Sequence, residues 1–94
     1  MYLKVDNNGE EQIYSFQNQS VVVIGRAPTS DIQVVTDGIS RKHLEVREKD
    51  GEFFVVDFGS TNGTFQNDER LEPNIEHPFN SFFPLKLGFH VFLY

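Results

Sequence analysis

Short apolar runs separated by turn signals recur along the chain, and no segment keeps the 3.6-residue spacing of an amphipathic helix. Asn8-Gly9 and Asp50-Gly51 predict tight turns, because these residue types tolerate positive φ. The pattern therefore predicts an all-β antiparallel sandwich or barrel with essentially no helix. The predicted strands are Tyr2–Val5, Gln12–Phe16, Val21–Ile24, Ile32–Val35, His43–Arg47, Phe53–Val56 and, closing the chain, about Phe89–Tyr94.

Two segments depart from simple alternation. Val21–Ile24 is continuously apolar, which predicts a strand buried on both faces. The segment from Pro73 to about Phe83 is broken by prolines and is expected to be irregular. Core filling is the expected role of the C-terminal aromatic cluster, and an exposed patch for a partner is the alternative. This cluster consists of Phe79, Phe82, Phe83, Phe89 and Phe92.

Length and composition limit the function classes. The chain has 94 residues, which predicts one domain over residues 1–94. It lacks an apolar run long enough to span a membrane and lacks the apolar core of a signal peptide at its N-terminus. The absence of cysteine excludes disulfides, zinc-thiolate sites and cysteine nucleophiles, and fits a cytoplasmic location.

The charge distribution argues against polyanionic partners. A net charge of −6 predicts weak binding to nucleic acids and to anionic membranes. Yet Arg26, Arg41, Lys42 and Arg47, half of the 8 Lys and Arg residues, fall within a short window. They are either scattered surface cations or a small cationic pocket on an acidic body, and such a pocket would bind one phosphate.

Gly25-Arg26 ends the apolar run Val21–Ile24. A glycine there permits a sharp bend or a close backbone approach. An arginine at a strand end can present its planar fork to two phosphate oxygens. The alternative is an ordinary surface arginine paired with Asp31.

Ser40-Arg41-Lys42-His43 offers a hydroxyl, two cations and an imidazole just before a strand. Ser40 as a nucleophile with His43 as its base lacks the flanking glycines of a nucleophile elbow and an identifiable third group. We expect Ser40 to donate to an anion through its hydroxyl and its backbone N–H. His43 is expected to point inward and brace a loop. No catalytic residue, metal site or cofactor is predicted, since the histidines lack metal-ligand spacing.

Ser60-Thr61-Asn62-Gly63-Thr64 contains a turn-forming Asn-Gly pair. A phosphate-cradling P-loop is disfavoured, because the Gly-Lys-Ser/Thr ending is missing and no helix is predicted to follow. The amide of Asn62 both donates and accepts, so it could hold the backbone of an extended peptide.

Taken together, Gly25-Arg26, Ser40-x-x-His43 and Ser60–Thr64 resemble, in order and spacing, the signature of the forkhead-associated (FHA) domain family. The intervening residues 27–32 and 37–43 match as well, and the resemblance is best from about residue 20 to residue 72. It implies a sandwich of two twisted antiparallel sheets, commonly about eleven short strands, with binding loops at one end.

The resemblance also implies recognition of phosphothreonine in an extended peptide. By position, Arg26 and Ser40 resemble the main phosphate contacts, and Arg41 matches a position that often adds another. Thr61 resembles a residue lining the phosphothreonine site, and Asn62 one that bonds the peptide backbone. The remaining matches are Gly25, His43 and Gly63 at loop-shaping positions. Lys42 is not one of these matches, but as a member of the cationic cluster it is a further possible phosphate-binding residue.

The expected protein is thus a non-catalytic phosphothreonine-peptide reader in signalling, monomeric as an isolated domain and part of a larger multidomain protein. The alternative is a phosphate-independent docking or assembly module that uses its phenylalanine-rich tail. After Leu71 the sequence departs from the Leu-x-x-Gly-Asp-x-Ile-like pattern of the family. The hairpin that the family places there, and any peptide contacts from its loop, therefore lack sequence support.

Overall fold

The computed structural model describes residues 2–16, 19–79 and 82–94, which form eleven strands and no helix. The strands are β1 (Tyr2–Asn7), β2 (Glu10–Ser15), β3 (Val21–Gly25), β4 (Ile32–Gln33), β5 (Leu44–Lys49), β6 (Glu52–Asp57), β7 (Thr64–Gln66), β8 (Glu69–Arg70), β9 (His77–Phe79), β10 (Leu85–Leu87) and β11 (Val91–Leu93). Among the described residues there is no helix with the length and apolarity that a membrane-spanning segment requires.

The strands form two sheets packed as a sandwich, which confirms the predicted fold class. One sheet has the order β2-β1-β11-β10-β7-β8 and the other β4-β3-β5-β6-β9. The pairings described are antiparallel except that of β3 with β4, where Ile24 lies beside Ile32 in parallel. The loop between β3 and β4 turns the chain back so that β4 starts beside Ile24, near the end of β3, and both strands run in the same direction.

The predicted turns form as expected. Asn8 and Gly9 adopt φ of 52° and 94°, and Asp50 and Gly51 adopt φ of 52° and 80°. Positive φ at both central residues matches the twist of the flanking strands, so each turn sets the register of its hairpin. β1 pairs with β2 over the full length of both strands, from Tyr2 opposite Ser15 to Asn7 opposite Glu10.

The core between the sheets is aliphatic. In β1, β3, β5, β10 and β11 alternate residues point inward and are almost fully buried, and each large aliphatic side chain contributes about 1.5–3 kcal/mol when removed from water. Phe16 closes one side of the core with its ring edge against Phe53, at a centroid distance of 5.4 Å. The buried aliphatic residues include Leu3, Val5, Val22, Ile24, Leu44, Val46, Val55, Leu85, Leu87, Val91 and Leu93.

Two expectations about burial are wrong. β3 is buried on one face only: Val21 is 40% exposed and Val23 is half-buried, beside Arg47 and Glu45 of β5 on the outer face. Most of the C-terminal phenylalanines do not fill the core either, because Leu85, Leu87, Val91 and Leu93 occupy the inward positions, although Phe79 packs against the core. Phe82, Phe83 and Phe89 are 85%, 43% and 51% exposed, and Phe79 and Phe92 are half-buried.

The segment after Pro73 is more regular than predicted. β9 pairs with β6, and β10 forms a hairpin with β11 in which Leu87 faces Val91. The closing strand, β11, is shorter than its predicted range, and so is β4. Asn80 and Ser81, which belong to the stretch expected to be irregular, lie outside the described residues.

We predict that Leu85→Ala lowers the free energy of unfolding by about 2–5 kcal/mol, because it removes buried methyl groups from between the sheets and leaves a cavity. Ile13→Ala, at an outer position of β2 that is 68% exposed, is the matched control and should cost less than about 1 kcal/mol. Urea unfolding of both variants checks this. Equal losses would show that the sandwich core is not where stability resides.

Candidate functional site

Three loops meet at one end of the sandwich. β3 ends where β5 begins, since Ile24 faces Leu44, and β6 ends there too, since Leu44 faces Asp57. In the other sheet β7 begins where β10 ends. The loops of residues 26–31, 34–43 and 58–63 are therefore brought to the same end, and the β10–β11 turn joins them.

Gly25 allows an unusually close approach of two backbone segments. A Cβ atom at this position would lie 2.1 Å from the carbonyl oxygen of Arg41, far inside contact distance. The approach is secured by the N–H of Arg26, which donates to Ser40 O at 3.0 Å, and by the N–H of Ala27, which donates to Arg41 O at 3.1 Å. The structure thus places Arg26 and Ser40 side by side.

The Arg26 guanidinium is exposed and makes no ion pair with any described residue. Its Nε donates to Ile39 O at 3.1 Å, which fixes the plane of the fork and leaves the terminal nitrogens for a ligand. The alternative pairing with Asp31 does not occur. The Asp31 carboxylate instead accepts from Val23 N–H at 2.8 Å and from the side chain of Gln19.

The Ser40 hydroxyl lies between two loops. Its oxygen accepts from Thr61 N–H at 3.1 Å, so its hydrogen is left to donate to an anion. The backbone N–H of Ser40, expected to be a second anion donor, is already bound to His43 Nδ1 at 3.2 Å. Since His43 meets this N–H and not the hydroxyl, the geometry does not support Ser40 as a nucleophile activated by His43.

His43 lies between two loops and is hydrogen-bonded to both. The imidazole is completely buried, its Nδ1 accepts from Ser40 N–H, and its Nε2 donates to Gly63 O at 3.0 Å. Burial lowers the pKa of His43, against the opposing effects of Gly63 O and the Asp57 carboxylate 3.9 Å away. The neutral ring therefore joins the 34–43 loop to the 58–63 loop with one proton in a fixed place.

Asp57 is a buried anchor that the sequence reasoning missed. Its carboxylate accepts from Ser60 N–H at 2.8 Å, from Ser60 Oγ at 2.6 Å and from Thr64 Oγ1 at 2.6 Å. Burial alone would raise the pKa of Asp57, but these hydrogen bonds outweigh it and the pKa is lowered. The signal was present in Asp57-x-x-Ser60, a side-chain turn pattern.

The opposite wall of the site carries Thr61 and Asn62. Thr61 is exposed, and the Asn62 amide donates from Nδ2 to Gly38 O at 3.3 Å while its oxygen faces no described donor. Gly63 adopts φ of 83° and presents its carbonyl to both His43 and the N–H of Gly88. Each of the predicted loop-shaping positions thus makes a close backbone approach or a hydrogen bond between loops; these positions are Gly25, His43 and Gly63.

The β10–β11 turn supports the site from behind. Gly88 lies so close to Gly38 that a Cβ atom on Gly88 would be 2.5 Å from Gly38 O. The ring of Phe89 packs against the α-carbon position of Gly38, where a Cβ would lie 2.7 Å from the ring. The hairpin that lacked sequence support is therefore present and fixes the loop facing Asn62.

These walls enclose an open cleft of about 620 Å³. It brings together the predicted phosphate and peptide residues Arg26, Ser40, Arg41, Thr61 and Asn62. Lys42 is not among its lining residues, since its ammonium group lies over the Phe58 ring, 4.0 Å from the centroid. The cleft also has lining residues that the sequence reasoning did not identify, namely Val35, Thr36, Asp37, Gly38 and Ile39.

The chemistry of this cleft is that of anion and peptide-backbone binding. No group of His, Asp and Glu side chains that could hold a metal ion occurs within residues 2–16, 19–79 and 82–94. The Ser60–Thr64 loop leads into strand β7 and not into a helix, so the helix dipole of a P-loop is absent from it.

Comparisons with known proteins agree with this geometry. A family model described as the FHA domain matches residues 22–88, more than half of the chain. The oxoglutarate dehydrogenase inhibitor of Corynebacterium efficiens is 48% identical over 52 residues, which are 55% of this chain and 37% of the relative. The chain thus spans little more than a third of the length of that curated relative.

Solved structures share the fold over nearly the whole chain. The FHA domain of FhaA, complexed with the intracellular domain of a second protein, is 26% identical with a TM-score of 0.81, covering 99% of this chain and 98% of that one. EmbR of Mycobacterium tuberculosis, in complex with a low-affinity phosphopeptide, is 19% identical with a TM-score of 0.77. That match covers 97% of this chain and 23% of EmbR, and it shows likeness of fold.

We predict that the free energy of unfolding falls with acidification below about pH 6.5, before the carboxylates titrate. The pKa of His43 is lower in the folded protein than in the unfolded chain, so the unfolded chain binds the proton first. The stabilisation by neutral His43 is complete above pH 6.5 and is lost as the pH falls toward the folded pKa. Asp57 adds a second loss below about pH 3.8, because its folded pKa is also lowered.

Urea titrations from pH 8 to pH 5 provide the measurement. His43→Gln should flatten the slope of stability against pH in this range, whereas the control His90→Gln replaces an exposed ring and should leave the slope as in the wild type. A wild-type stability that is constant across this range would contradict the assignment of a neutral, bridging imidazole.

Proposed function

This chain belongs to the FHA domain family, and from that premise we propose that its loop cleft binds a phosphothreonine-containing peptide. The observation that carries the proposal is the Arg26 guanidinium. It is oriented by Ile39 O, has no acidic partner among the described residues and lies on an open cleft beside the Ser40 hydroxyl. An oriented guanidinium group on a protein of net charge −6 is better suited to bind one localised anion than a polyanion.

The phosphate would be bound by Arg26, Ser40 and Arg41. A phosphothreonine brings about −1.5 to −2 charges and three acceptor oxygens. Each charge-assisted hydrogen bond to it is worth roughly 1.5–3 kcal/mol. Arg26 would contribute most, because its side chain is already oriented, while the exposed Arg41 loses more conformational freedom when it binds.

The peptide would lie extended across the loops, held by Thr61 and Asn62. The Asn62 amide is held against the 34–43 loop by its Nδ2, which donates to Gly38 O, and its oxygen can accept a peptide N–H. A small apolar contact for the threonine methyl would favour phosphothreonine over phosphoserine by about 0.8 kcal/mol, the value of one buried methyl. Lys42, outside the lining of this cleft, is left out of this primary phosphate site.

The cellular role that we infer is phosphorylation-dependent assembly of signalling proteins, without catalysis or a cofactor. The partner would be a phosphorylated protein, and neither nucleic acid nor membrane is expected to bind. The phosphopeptide complex of EmbR and the protein complex of FhaA support this class of partner. We propose that the domain is monomeric, works in the cytoplasm and forms part of a longer protein, as the length of the Corynebacterium relative suggests.

A second candidate is a phosphate-independent docking module. The exposure of Phe83 and Phe89 favours it, because aromatic side chains on a surface are typical of protein interfaces. The first candidate is preferred because the phosphate-binding groups are all retained and converge. The docking module would bind its partner equally well with and without phosphate.

We predict that Arg26→Ala weakens binding of a phosphothreonine peptide at least about 100-fold, since roughly two charge-assisted bonds are lost. Isothermal titration calorimetry with a phosphothreonine peptide library pool, followed by single selected peptides, gives the affinities. Arg47→Ala is the matched control: it removes the same charge from β5, where Arg47 pairs with Glu45 and Glu76. The control should bind within about threefold of the wild type.

Two results would rule out this mechanism. One is equal affinity for phosphorylated and unphosphorylated forms of the same peptide. The other is an Arg26→Ala variant that is folded by circular dichroism and binds as tightly as the wild type.

A further inference from the structure

A second cleft lies on the other side of Arg41 from the phosphate cleft. It has a volume of about 360 Å³ and, like the first, is open to solvent. Arg41 lines both clefts, so the two are adjacent and share one cation. The residues lining this second cleft are Val23, Ala27, Thr29, Ser30, Arg41 and Lys42.

The second cleft is cationic. Its lining includes two cations and no acidic side chain, although the chain as a whole carries a net charge of −6. Neither Arg41 nor Lys42 forms an ion pair with a described residue. The Asp31 carboxylate lies beside the backbone of Val23, where it accepts from Val23 N–H and from Gln19, and it pairs with neither cation. Two cations lining one concave surface, with one carboxylate nearby, leave a net positive charge that attracts an anion.

Lys42 is held in place by Phe58. Its ammonium group lies 4.0 Å from the centroid of the ring, a distance at which the negative face of the ring attracts a cation. The contact leaves the other side of the ammonium group open. Because the side chain is already ordered, less conformational entropy is lost when an anion binds to it. Thr29 and Ser30 add hydroxyl groups to the same lining.

We propose that the second cleft binds a second anionic side chain of the same peptide, a phosphate or a carboxylate close to the phosphothreonine in sequence. The proposal rests on the proposed function of the first cleft and deepens it. Arg41 would contact both anions, and Lys42 would contact the second only. The domain would then prefer doubly phosphorylated or acidic phosphothreonine segments over neutral ones.

The test compares affinities for paired peptides. The reference peptide has one phosphothreonine between neutral residues, and each other peptide adds either a second phosphothreonine or an aspartate at one successive position on either side. For the wild type we expect about three- to tenfold tighter binding at one or two positions, decreasing as salt is raised. The ratio of each affinity to that of the reference peptide is the readout.

Substitutions of Lys42 test whether the tighter binding depends on the second cleft. In Lys42→Ala and Lys42→Gln the ratio should fall toward one. Lys86→Ala is the matched control, since Lys86 also lies over a phenylalanine ring, that of Phe65 at 5.7 Å, but lines neither cleft. This control should keep the wild-type ratio. If the aspartate peptides and the doubly phosphorylated peptides both bind more tightly than the reference, the ligand is an acidic segment. If only the doubly phosphorylated peptides bind more tightly, the ligand is a doubly phosphorylated segment.

The proposal is overturned if no position of the second anion tightens binding, or if the gain survives in both Lys42 variants. It is equally overturned if Lys86→Ala reduces the ratio as much as Lys42→Ala, because the gain would then come from overall charge. Binding of the reference peptide tests the proposed function of the first cleft separately from that of the second. If the wild type does not bind that peptide, the proposed function itself fails.

Discussion

The site depends on one buried imidazole. His43 ties the backbone of Ser40 to the carbonyl of Gly63 and thereby fixes the distance between the loop that carries the phosphate-binding groups and the loop that carries Asn62. Asp57 anchors the second loop from below through Ser60 and Thr64. Because all these groups are buried and satisfied, the exposed side chains above them stand on a rigid base, and little ordering remains to oppose ligand binding.

Electrostatics complement this rigidity. Lys4, Arg47 and Lys49 elsewhere on the domain are paired with Glu11, Glu45 or Glu76. Arg26, Arg41 and Lys42 at the loop end have no acidic partner among the described residues. An acidic body with a few unpaired cations at one end repels polyanions and still attracts a single phosphorylated segment. Selectivity for a small anionic mark therefore follows from where the cations lie and not from their number.

Local sequence signals predict the structure correctly where the residue types themselves restrict the backbone conformation. Asn8-Gly9 forms its turn because few other pairs accept positive φ twice. Ser40 and His43, three residues apart in one loop, are joined by a hydrogen bond. The strands β7 to β10 are not among those predicted, because strands of two or three residues are too short to show a period.

The remaining errors concern tertiary contacts. Burial of Val21 is predicted because its run is continuously apolar, and burial of the phenylalanines because they are large. Which residues fill the core depends on how the two sheets meet, and Leu85 and Leu87 take those places. The turning of Lys42 onto Phe58 likewise depends on a neighbour distant in sequence. The partners of Asp57, in contrast, are close in sequence, and what the sequence does not show is that this carboxylate is buried.

The central claim is that the loop cleft reads a phosphate. The most direct measurement is a nuclear magnetic resonance titration of the wild-type domain with one peptide in phosphothreonine and unphosphorylated forms. The account predicts that only the phosphorylated form shifts the amide signals of Ser40, Thr61 and Asn62, while those of Phe83 are unchanged. Shifts of equal size with the unphosphorylated peptide, or shifts centred on Phe83, would contradict it.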